Sequence, residues 1–239
     1  MPTARRQERT VVIKLGGSLV VPEDIAVDYV QRFAALVRKH ASAGLRFILI
    51  VGGGCTNRWY RDAAMAAGIE NAADLHWLGI RATQLNAEFV RALFGPLAYP
   101  RPLTDPDTTP RWNEPVLVVG GFAPGYSTDN VAVLMAERFG ADTVINVSDV
   151  EALYTADPKK DRAATPIAEI AWDEYRKMFG NPERHLPGQN IPIDAVAAIN
   201  SQRLNLETFF VGGRDLENLD NLLTGKKWTG TRIYQTQTR

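Results

Sequence analysis

Lys14 is the first residue in the chain whose type and setting point to chemistry. It follows a run of β-branched residues, 11–13, and lies just before Gly16 and Gly17. Where glycines replace larger residues, a ligand can approach backbone N–H groups directly, and the lysine adds a positive charge. This combination suits an oxyanion such as phosphate. Taken alone, however, the stretch is more typical of a tight turn beside a solvated lysine.

Two further glycine-rich segments directly follow runs of apolar residues. Gly52-Gly53-Gly54 comes after 47–51, and Gly120-Gly121 comes after 116–119. One such loop is usually structural, but three could line one cleft and hold phosphate groups. None of them fits the spacing of a P-loop or of a dinucleotide-binding loop. The predicted phosphate site is therefore of another kind.

Arg58 and Asp129 are the charged residues best placed to complete such a site. Arg58 lies four residues after Gly54, about one turn into a predicted helix, so its guanidinium could reach back and grip an oxyanion. The same position also suits a surface arginine. Asp129 begins another predicted helix. It could cap that helix, or it could hold Lys14 by a charge-assisted hydrogen bond.

The elements that must position these residues alternate between strands and helices. Apolar runs predict strands over 11–15, 47–51, 116–119, 143–147 and 207–211. Helical spacing and start signals predict helices that open near 22–24 and 128 and that cover about 56–67, 78–93, 171–179, 195–204 and 216–223. This alternation predicts an α/β fold, an open, mostly parallel sheet sandwiched by helices, with ligands at the carboxyl ends of the strands.

The remaining segments predict how the chain is divided. Residues 1–10 are polar and read as a flexible tail, so we expect a single domain over 11–239. Residues 96–115 are proline-rich and predict an irregular connection, and 180–193 predict a mobile loop. A single cysteine, Cys55, excludes an internal disulfide and suits a small buried filler.

Composition limits the partners. The chain has 239 residues and carries 27 Lys and Arg against 27 Asp and Glu, so no bulk charge favours nucleic acid or an anionic membrane. No apolar run reaches the roughly 20 residues of a membrane span, and the N-terminus does not read as a signal peptide. We expect a cytoplasmic protein that binds neither nucleic acid nor membrane.

Five segments occur in an order that is more specific than any of them alone. They are Lys14-Leu-Gly-Gly-Ser18, Val51-Gly-Gly-Gly-Cys-Thr-Asn-Arg58-Trp-Tyr60, Leu78-Gly-Ile-Arg-Ala-Thr-Gln-Leu-Asn-Ala87, Gly120-Gly-Phe-Ala-Pro-Gly-Tyr-Ser-Thr-Asp129 and Leu153-Tyr-Thr-Ala-Asp-Pro-Lys-Lys-Asp161. Together they resemble the amino-acid kinase superfamily and, within it, the uridylate (UMP) kinases of the archaeal type. The resemblance covers about 11–233 and implies an amino-acid kinase, or carbamate kinase-like, fold.

The resemblance implies transfer of the ATP γ-phosphoryl group to UMP, with Mg²⁺ and with no metal bound by the protein itself. The catalytic residues that it implies are Lys14, Arg58, Asp129 and Lys160. The implied ATP-binding residues are Gly17, Ser18, Gly54, Ser148, Asp149, Tyr154 and Asp157. The implied acceptor-binding residues are Gly53, Gly121, Phe122, Pro124, Gly125, Ser127 and Thr128. It also implies an acceptor-binding part over about 11–140, an ATP-binding part over about 141–239, and a homo-oligomer, either a hexamer or a dimer.

Two segments depart from the family pattern. The family usually has an aspartate that holds the UMP ribose where this chain has His76, so either Asp74 is brought in or the acceptor contact has changed. Residues 149–152 read Asp-Val-Glu-Ala, where the family commonly has Asn-Val-Asp-Gly. The alternatives are therefore a kinase for another small phosphorylated acceptor or a nucleotide-binding storage protein similar to molybdenum storage proteins. Isopentenyl phosphate kinases usually carry a histidine within the stretch 55–58, which has none here.

Overall fold

The computed structural model describes residues 9–158, 160–179 and 192–236. Its strands are β1 (Thr10–Leu15), β2 (Arg46–Val51), β3 (Val116–Val119), β4 (Thr143–Ser148), β5 (Leu153–Tyr154), β6 (Pro166–Ile167), β7 (Glu169–Ala171), β8 (Glu207–Gly212) and β9 (Thr231–Tyr234). Its helices are α1 (Gly17–Val20), α2 (Val27–Ser42), α3 (Gly54–Ala66), α4 (Ala72–Phe94), α5 (Thr128–Phe139), α6 (Trp172–Phe179), α7 (Ala195–Arg203) and α8 (Leu216–Leu223). A short 3₁₀ helix, Gly95–Leu97, follows α4.

One sheet carries most of the strands, in the order β3-β2-β1-β4-β8-β9-β7. The strands β3, β2, β1, β4 and β8 are parallel, whereas β9 runs antiparallel to β8 and β7 runs parallel to β9. The chain builds outward from β1 on one side and then crosses to β4 on the other. The carboxyl end of β1 therefore lies at the point where the strand order reverses, which is where ligands bind in open α/β sheets.

Helices cover both faces of the sheet, which confirms the predicted α/β class. Successive strand residues alternate between two cores: Val12 and Ile48 belong to the core beneath α5, α6 and α7, whereas Ile13 and Leu49 belong to the core beneath α2, α4 and α8. Because both sheet faces are buried, the central strands are mostly apolar, with Lys14 on β1 and Asn146 on β4 as polar exceptions within them.

The structure corrects the predictions for 1–24. Thr10, predicted to lie in the tail, pairs with Arg46 as the first residue of β1. The expected loop after β1 contains the short helix α1, and the next helix begins at Val27 rather than near 22–24. Backbone N–H groups of Ala26 and Cys55 donate to the carbonyls of residues 20 and 21 over 2.9 and 2.8 Å. These bonds fix the non-helical segment between α1 and α2.

The sequence patterns did not predict β5, β6, β7 or β9. Three of these strands are only two or three residues long, and β9 reads Thr-Arg-Ile-Tyr, so none forms a continuous apolar run. The predicted mobile loop over 180–193 lies, up to 191, outside the described residues. Within the described part of the chain, no helix combines the length and the apolar character needed to cross a membrane.

Candidate active site

The first two glycine loops touch each other, backbone against backbone. A methyl group placed on Gly17 would lie 2.1 Å from the backbone nitrogen of Gly54, and one placed on Gly52 would lie 2.5 Å from the nitrogen of Gly17. Gly54 also has a φ of +57°, in the left-handed region that L side chains rarely adopt. Only glycine fits at these positions, so the sequence pattern reflects a close approach of two loops. Their backbones meet beside the carboxyl end of β1.

Lys14 lies on β1, two residues after Val12 on the same face of the sheet, and this face packs against α5. There its Nζ is 3.2 Å from Oδ1 of Asp129, in the first turn of α5. Both side chains are largely buried, at 17% and 15% exposure. The predicted contact between the two residues is therefore present, and Ser127, not Asp129, caps the helix by accepting from the N–H of Asn130.

Asp129 is held by two further contacts. Nδ2 of Asn146 lies 3.3 Å from Oδ1 of Asp129, and the backbone N–H of Asp194 donates to the same carboxyl. Burial raises the pKa of Asp129 above its usual value, Lys14 opposes that rise, and the nearby Asp194 adds to it. The ion pair and the hydrogen bonds favour the charged form of Asp129, and in that form the aspartate is suited to fixing the position of Lys14.

Helix α4 fastens two of the glycine loops. The side-chain nitrogen of Asn86, a buried residue, donates to the carbonyls of Gly52 and Gly53 over 2.9 and 3.0 Å. Three residues earlier, Thr83 accepts from the N–H of Gly121 over 2.7 Å. The amide of Gln84 donates to the carbonyl of Gly121 over 2.8 Å. These bonds fix both loops against α4, and they use the N–H of Gly121 as well as the carbonyls of Gly52, Gly53 and Gly121.

Arg58 lies on α3, one turn after Gly54, as predicted. Its guanidinium donates to the carbonyl of Pro22 over 3.0 Å, on the outer side of the segment between α1 and α2. No side chain caps the N-terminus of α3. The start of this helix can therefore accept an anion.

The residues predicted to bind ATP lie partly around these loops. Ser148 is the last residue of β4. The carbonyl of the residue before it, Val147, accepts from the N–H of Gly16 over 2.8 Å. Ser148 and Asp149 thus adjoin the first loop, in which Ser18 is half-buried. Tyr154 belongs to the small β5–β6 hairpin.

Asp157 and Lys160 lie farther out, in an exposed turn. Nζ of Lys160 is 3.8 Å from a carboxylate oxygen of Asp157, and its side chain is 85% exposed. Among the described residues, Lys160 forms no ion pair other than the one with Asp157. Its predicted catalytic role has no contact to support it.

The predicted acceptor residues follow β3. Gly121 is fixed by α4, as described above, and Gly125 has a φ of +92° at the tip of the loop, where Pro124 is half-buried. The ring of Phe122 is buried in the core and stands edge-on to Tyr126 at 6.3 Å, so only its backbone is available to a ligand. Ser127 is engaged in capping α5 and donates to Asp194, and Thr128 begins the helix.

Asp74 and His76 are both exposed and lie in the first turns of α4. Helical geometry places His76 on the side of Gly79 and Thr83, which faces the site, because these residues lie three and seven positions further on. Asp74 precedes His76 by two residues and so points to the opposite side of the helix. In an unbroken helix the side chain of Asp74 cannot point to the same side as that of His76. The geometry therefore favours a changed acceptor contact over replacement of the missing aspartate by Asp74.

Sequence patterns did not single out Thr83, Asn86, Asn146 or Asp194. Each is a polar residue with a long-range partner, and its local pattern is ordinary for a helix, a strand or a helix cap. The one available signal was a polar residue inside an otherwise apolar run, at Asn146. Within the described residues no group of three or more His, Cys, Asp or Glu side chains is arranged to hold a metal ion.

Comparison with known proteins places this chain in a family. A sequence model of the amino acid kinase family matches residues 9–210. The chain is 34% identical over 224 residues to a protein named uridylate kinase from Hyperthermus butylicus, a match that covers 91% of this chain and 95% of that protein. It is 32% identical over 220 residues to one of the same name from Thermococcus kodakarensis, covering 90% and 96%.

A solved structure gives the same result for the fold. The crystal structure of uridylate kinase from Archaeoglobus fulgidus superimposes with a TM-score of 0.78 at 29% identity, covering 93% of this chain and 99% of that one. This likeness confirms the predicted fold, and the match of the family model covers most of the chain. From its glycine loops, its fold and its relatives, the chain belongs to the amino acid kinase family.

Proposed function

We propose that this chain transfers the γ-phosphoryl group of ATP to the phosphate of UMP, giving UDP and ADP. The observation that carries the proposal is the backbone contact between Gly17 and Gly54 beside Lys14. It creates a place where bare N–H groups and one fixed ammonium group face the same volume. Relatives named uridylate kinase support UMP as the acceptor.

The chemistry requires charge compensation more than covalent participation by the protein. An oxygen of the UMP phosphate attacks the γ-phosphorus while the bond from that phosphorus to the β–γ bridging oxygen breaks, and ADP leaves. A cation about 4 Å from the phosphates offsets on the order of 4 kcal/mol of repulsion at an effective dielectric constant near 20. Lys14 supplies this charge, and Asp129 holds it in place.

The other roles divide between the two substrates, and the residues assigned to the ATP phosphates lie in the acceptor part of the chain, whereas those assigned to the ATP nucleoside lie in the ATP part. We assign the phosphates of ATP to Gly17, Ser18, Gly54 and Arg58, and the ATP nucleoside to Ser148, Asp149, Tyr154 and Asp157. We assign UMP to Gly53, His76 and the backbone of 121–128. The acceptor part, 11–140, contributes β1, β2 and β3, and the ATP part, 141–239, contributes β4, β8, β9 and β7. Phosphoryl transfer then occurs where β1 adjoins β4.

Mg²⁺ fits this site as a companion of ATP. Nucleotide-bound Mg²⁺ is usually held by phosphate oxygens, water and one or two carboxylates, so it needs no dedicated cage. Asp149, beside the first glycine loop, is the carboxylate that could contribute. Bound there, the ion would neutralise charge on the phosphates.

The acceptor is tested by offering several small phosphates to the protein. UMP, CMP, AMP, GMP and isopentenyl phosphate are each incubated with ATP and Mg²⁺, and ADP release is measured. UMP-dependent turnover well above the others is the expected result. Preference for another acceptor would indicate that His76 contacts that molecule instead of UMP. ATP consumption without acceptor preference would favour the storage-protein alternative.

We also propose that the protein is a homo-oligomer that uses the outer side of α3 and α4. Large apolar side chains exposed on or between these two helices include Trp59, Tyr60, Met65, Ile69, Trp77 and Leu85. Exposed apolar area of this extent is typical of an interface. Leu85→Glu should shift the mass measured by sedimentation equilibrium to a smaller species, whereas Met178→Glu, at an exposed apolar position on α6, should not.

The proposed substrates also indicate a setting for the reaction. Both are free nucleotides, so we propose a role in pyrimidine nucleotide synthesis in the cytoplasm.

A further inference from the structure

A small cavity lies behind the Lys14–Asp129 pair, between the sheet and helices α5 and α7. Besides these two residues, its polar lining comes from Asn146 on β4, Thr208 on β8 and Ser201 on α7. Its volume is about 10 Å³. A site for one water molecule needs roughly 10–15 Å³ by this measure, so the cavity reaches the lower limit for a single water.

Two of the residues that line this cavity each have a buried side-chain oxygen without a hydrogen-bond partner among the described residues. The two oxygens are Oδ1 of Asn146 and Oγ1 of Thr208, on residues that are 2% and 3% exposed. A buried polar atom without a partner costs about 1–3 kcal/mol. Native proteins usually satisfy such atoms with an ordered water.

The orientation of the Asn146 amide follows from its other contacts. Its nitrogen lies 3.3 Å from Oδ1 of Asp129 and 3.3 Å from the carbonyl oxygen of Pro192, and both of these groups are acceptors. An amide nitrogen carries two hydrogens, so both are used by these contacts. The amide oxygen is therefore left without a donor.

We propose that the cavity binds one water molecule, which donates to Oδ1 of Asn146 and accepts from the hydroxyl of Thr208, and that Asn146 is a positioning residue for Asp129. The water holds the amide in the orientation in which its nitrogen faces the aspartate. Asp129 in turn holds Lys14. The water site stands on the cavity alone, whereas its effect on catalysis rests on the proposed kinase function.

A crystal structure at high resolution tests the water site independently of activity. We expect one density peak within hydrogen-bonding distance of both oxygens in the unaltered protein. In Thr208→Val, which keeps the shape and removes the hydroxyl, the peak should be lost or weakened. An empty cavity in the unaltered protein, at a resolution where other internal waters are seen, would overturn the proposal.

Kinetics test the positioning role. Asn146→Leu should lower kcat about tenfold, the scale of one lost hydrogen bond of about 1.4 kcal/mol to a charged group, with less than about a twofold change in KM for either nucleotide. Because the amide stabilises the charged form of Asp129, its loss should move the acid limb of the kcat–pH profile to higher pH. The other ionisable groups near Asp129 are Lys14, Asp194 and Tyr175, and the substitution leaves them in place.

Thr143→Val is the matched control. Thr143 is another buried threonine, on β4, but its hydroxyl donates to Asp142 over 2.8 Å on the opposite face of the sheet. The substitution Thr143→Val should leave the acid limb of the kcat–pH profile unchanged. An acid limb and a kcat that are unchanged in Asn146→Leu would refute the positioning role. If no acceptor supports turnover, the kinase proposal fails, and the crystal structures still decide the water site.

Discussion

Replacing Lys14 by Met should lower kcat for phosphoryl transfer about a hundredfold or more. The methionine keeps the length of the side chain and removes only the charge. With an effective dielectric constant near 20, a unit charge about 4 Å from the phosphates contributes on the order of 4 kcal/mol, which corresponds to about a thousandfold in rate. Water that enters the site in place of the ammonium group will screen part of the repulsion between the phosphates, so a hundredfold loss of kcat is the expected lower bound.

The substitution also leaves Asp129 without its partner. At 3.2 Å and the same dielectric constant, the pair attraction is on the order of 5 kcal/mol before desolvation is subtracted. A fall in stability could therefore be confused with a loss of chemistry. The double variant Lys14→Met/Asp129→Asn removes both charges, so it should recover most of the lost stability and none of the lost turnover.

The assay measures initial rates of ADP release at saturating UMP and ATP, with thermal unfolding followed in parallel. Lys39→Met is the control, because Lys39 is an exposed lysine that pairs with Asp220 on the far side of α2. It should keep kcat within a few-fold of the unaltered protein. If Lys14→Met does the same while folded, Lys14 has no part in the reaction.

The remaining predictions concern the glycine loops, the acceptor contact and acid stability. Asn86→Leu leaves two loop carbonyls without their donor, so kcat/KM for ATP should fall about tenfold. An unchanged kcat/KM in steady-state kinetics would contradict this. His76→Asp supplies the carboxylate usual in the family and should lower KM for UMP several-fold. A rise in KM for UMP in Asp74→Ala would instead show that the contact runs through Asp74. The hydrogen bond from Lys39, together with that from His40, lowers the pKa of Asp220 below its usual value. Its stabilisation of about 1 kcal/mol or less is thus present above about pH 4 and is lost as the pH falls further. Chemical denaturation should show Asp220→Asn to be less stable than the unaltered protein at pH 7 and equal to it near pH 2.

Much of the frame could be predicted from short runs of residues. The strands β1 to β4 are covered on both faces, so each is mostly apolar and can be recognised without any knowledge of its neighbours. Gly17 and Gly54 were visible as interruptions of that pattern. Parallel strands align their carboxyl ends, which is why a shared site could be expected there.

The contacts within the site could not be predicted in the same way. Asn86 reaches the second glycine loop from 33 and 34 positions away, and Asn146 reaches Asp129 from 17. In the sequence, each of these asparagines is only a polar residue within a regular element. Which polar residue meets which loop depends on how helices and strands pack, and that is decided by the whole core.

The sequence by itself determined the alternating fold, the three glycine loops and the candidates Lys14, Arg58 and Asp129, because these depend on local residue types. The tertiary structure decided that Lys14 pairs with Asp129 and that Lys160 stands apart in an exposed turn. It also decided that Asp74 and His76 point in opposite directions. The pairing of Lys14 with Asp129 depends on the packing of distant elements, which no short segment encodes, whereas the directions of Asp74 and His76 follow from the helical period once α4 is seen to begin at Ala72.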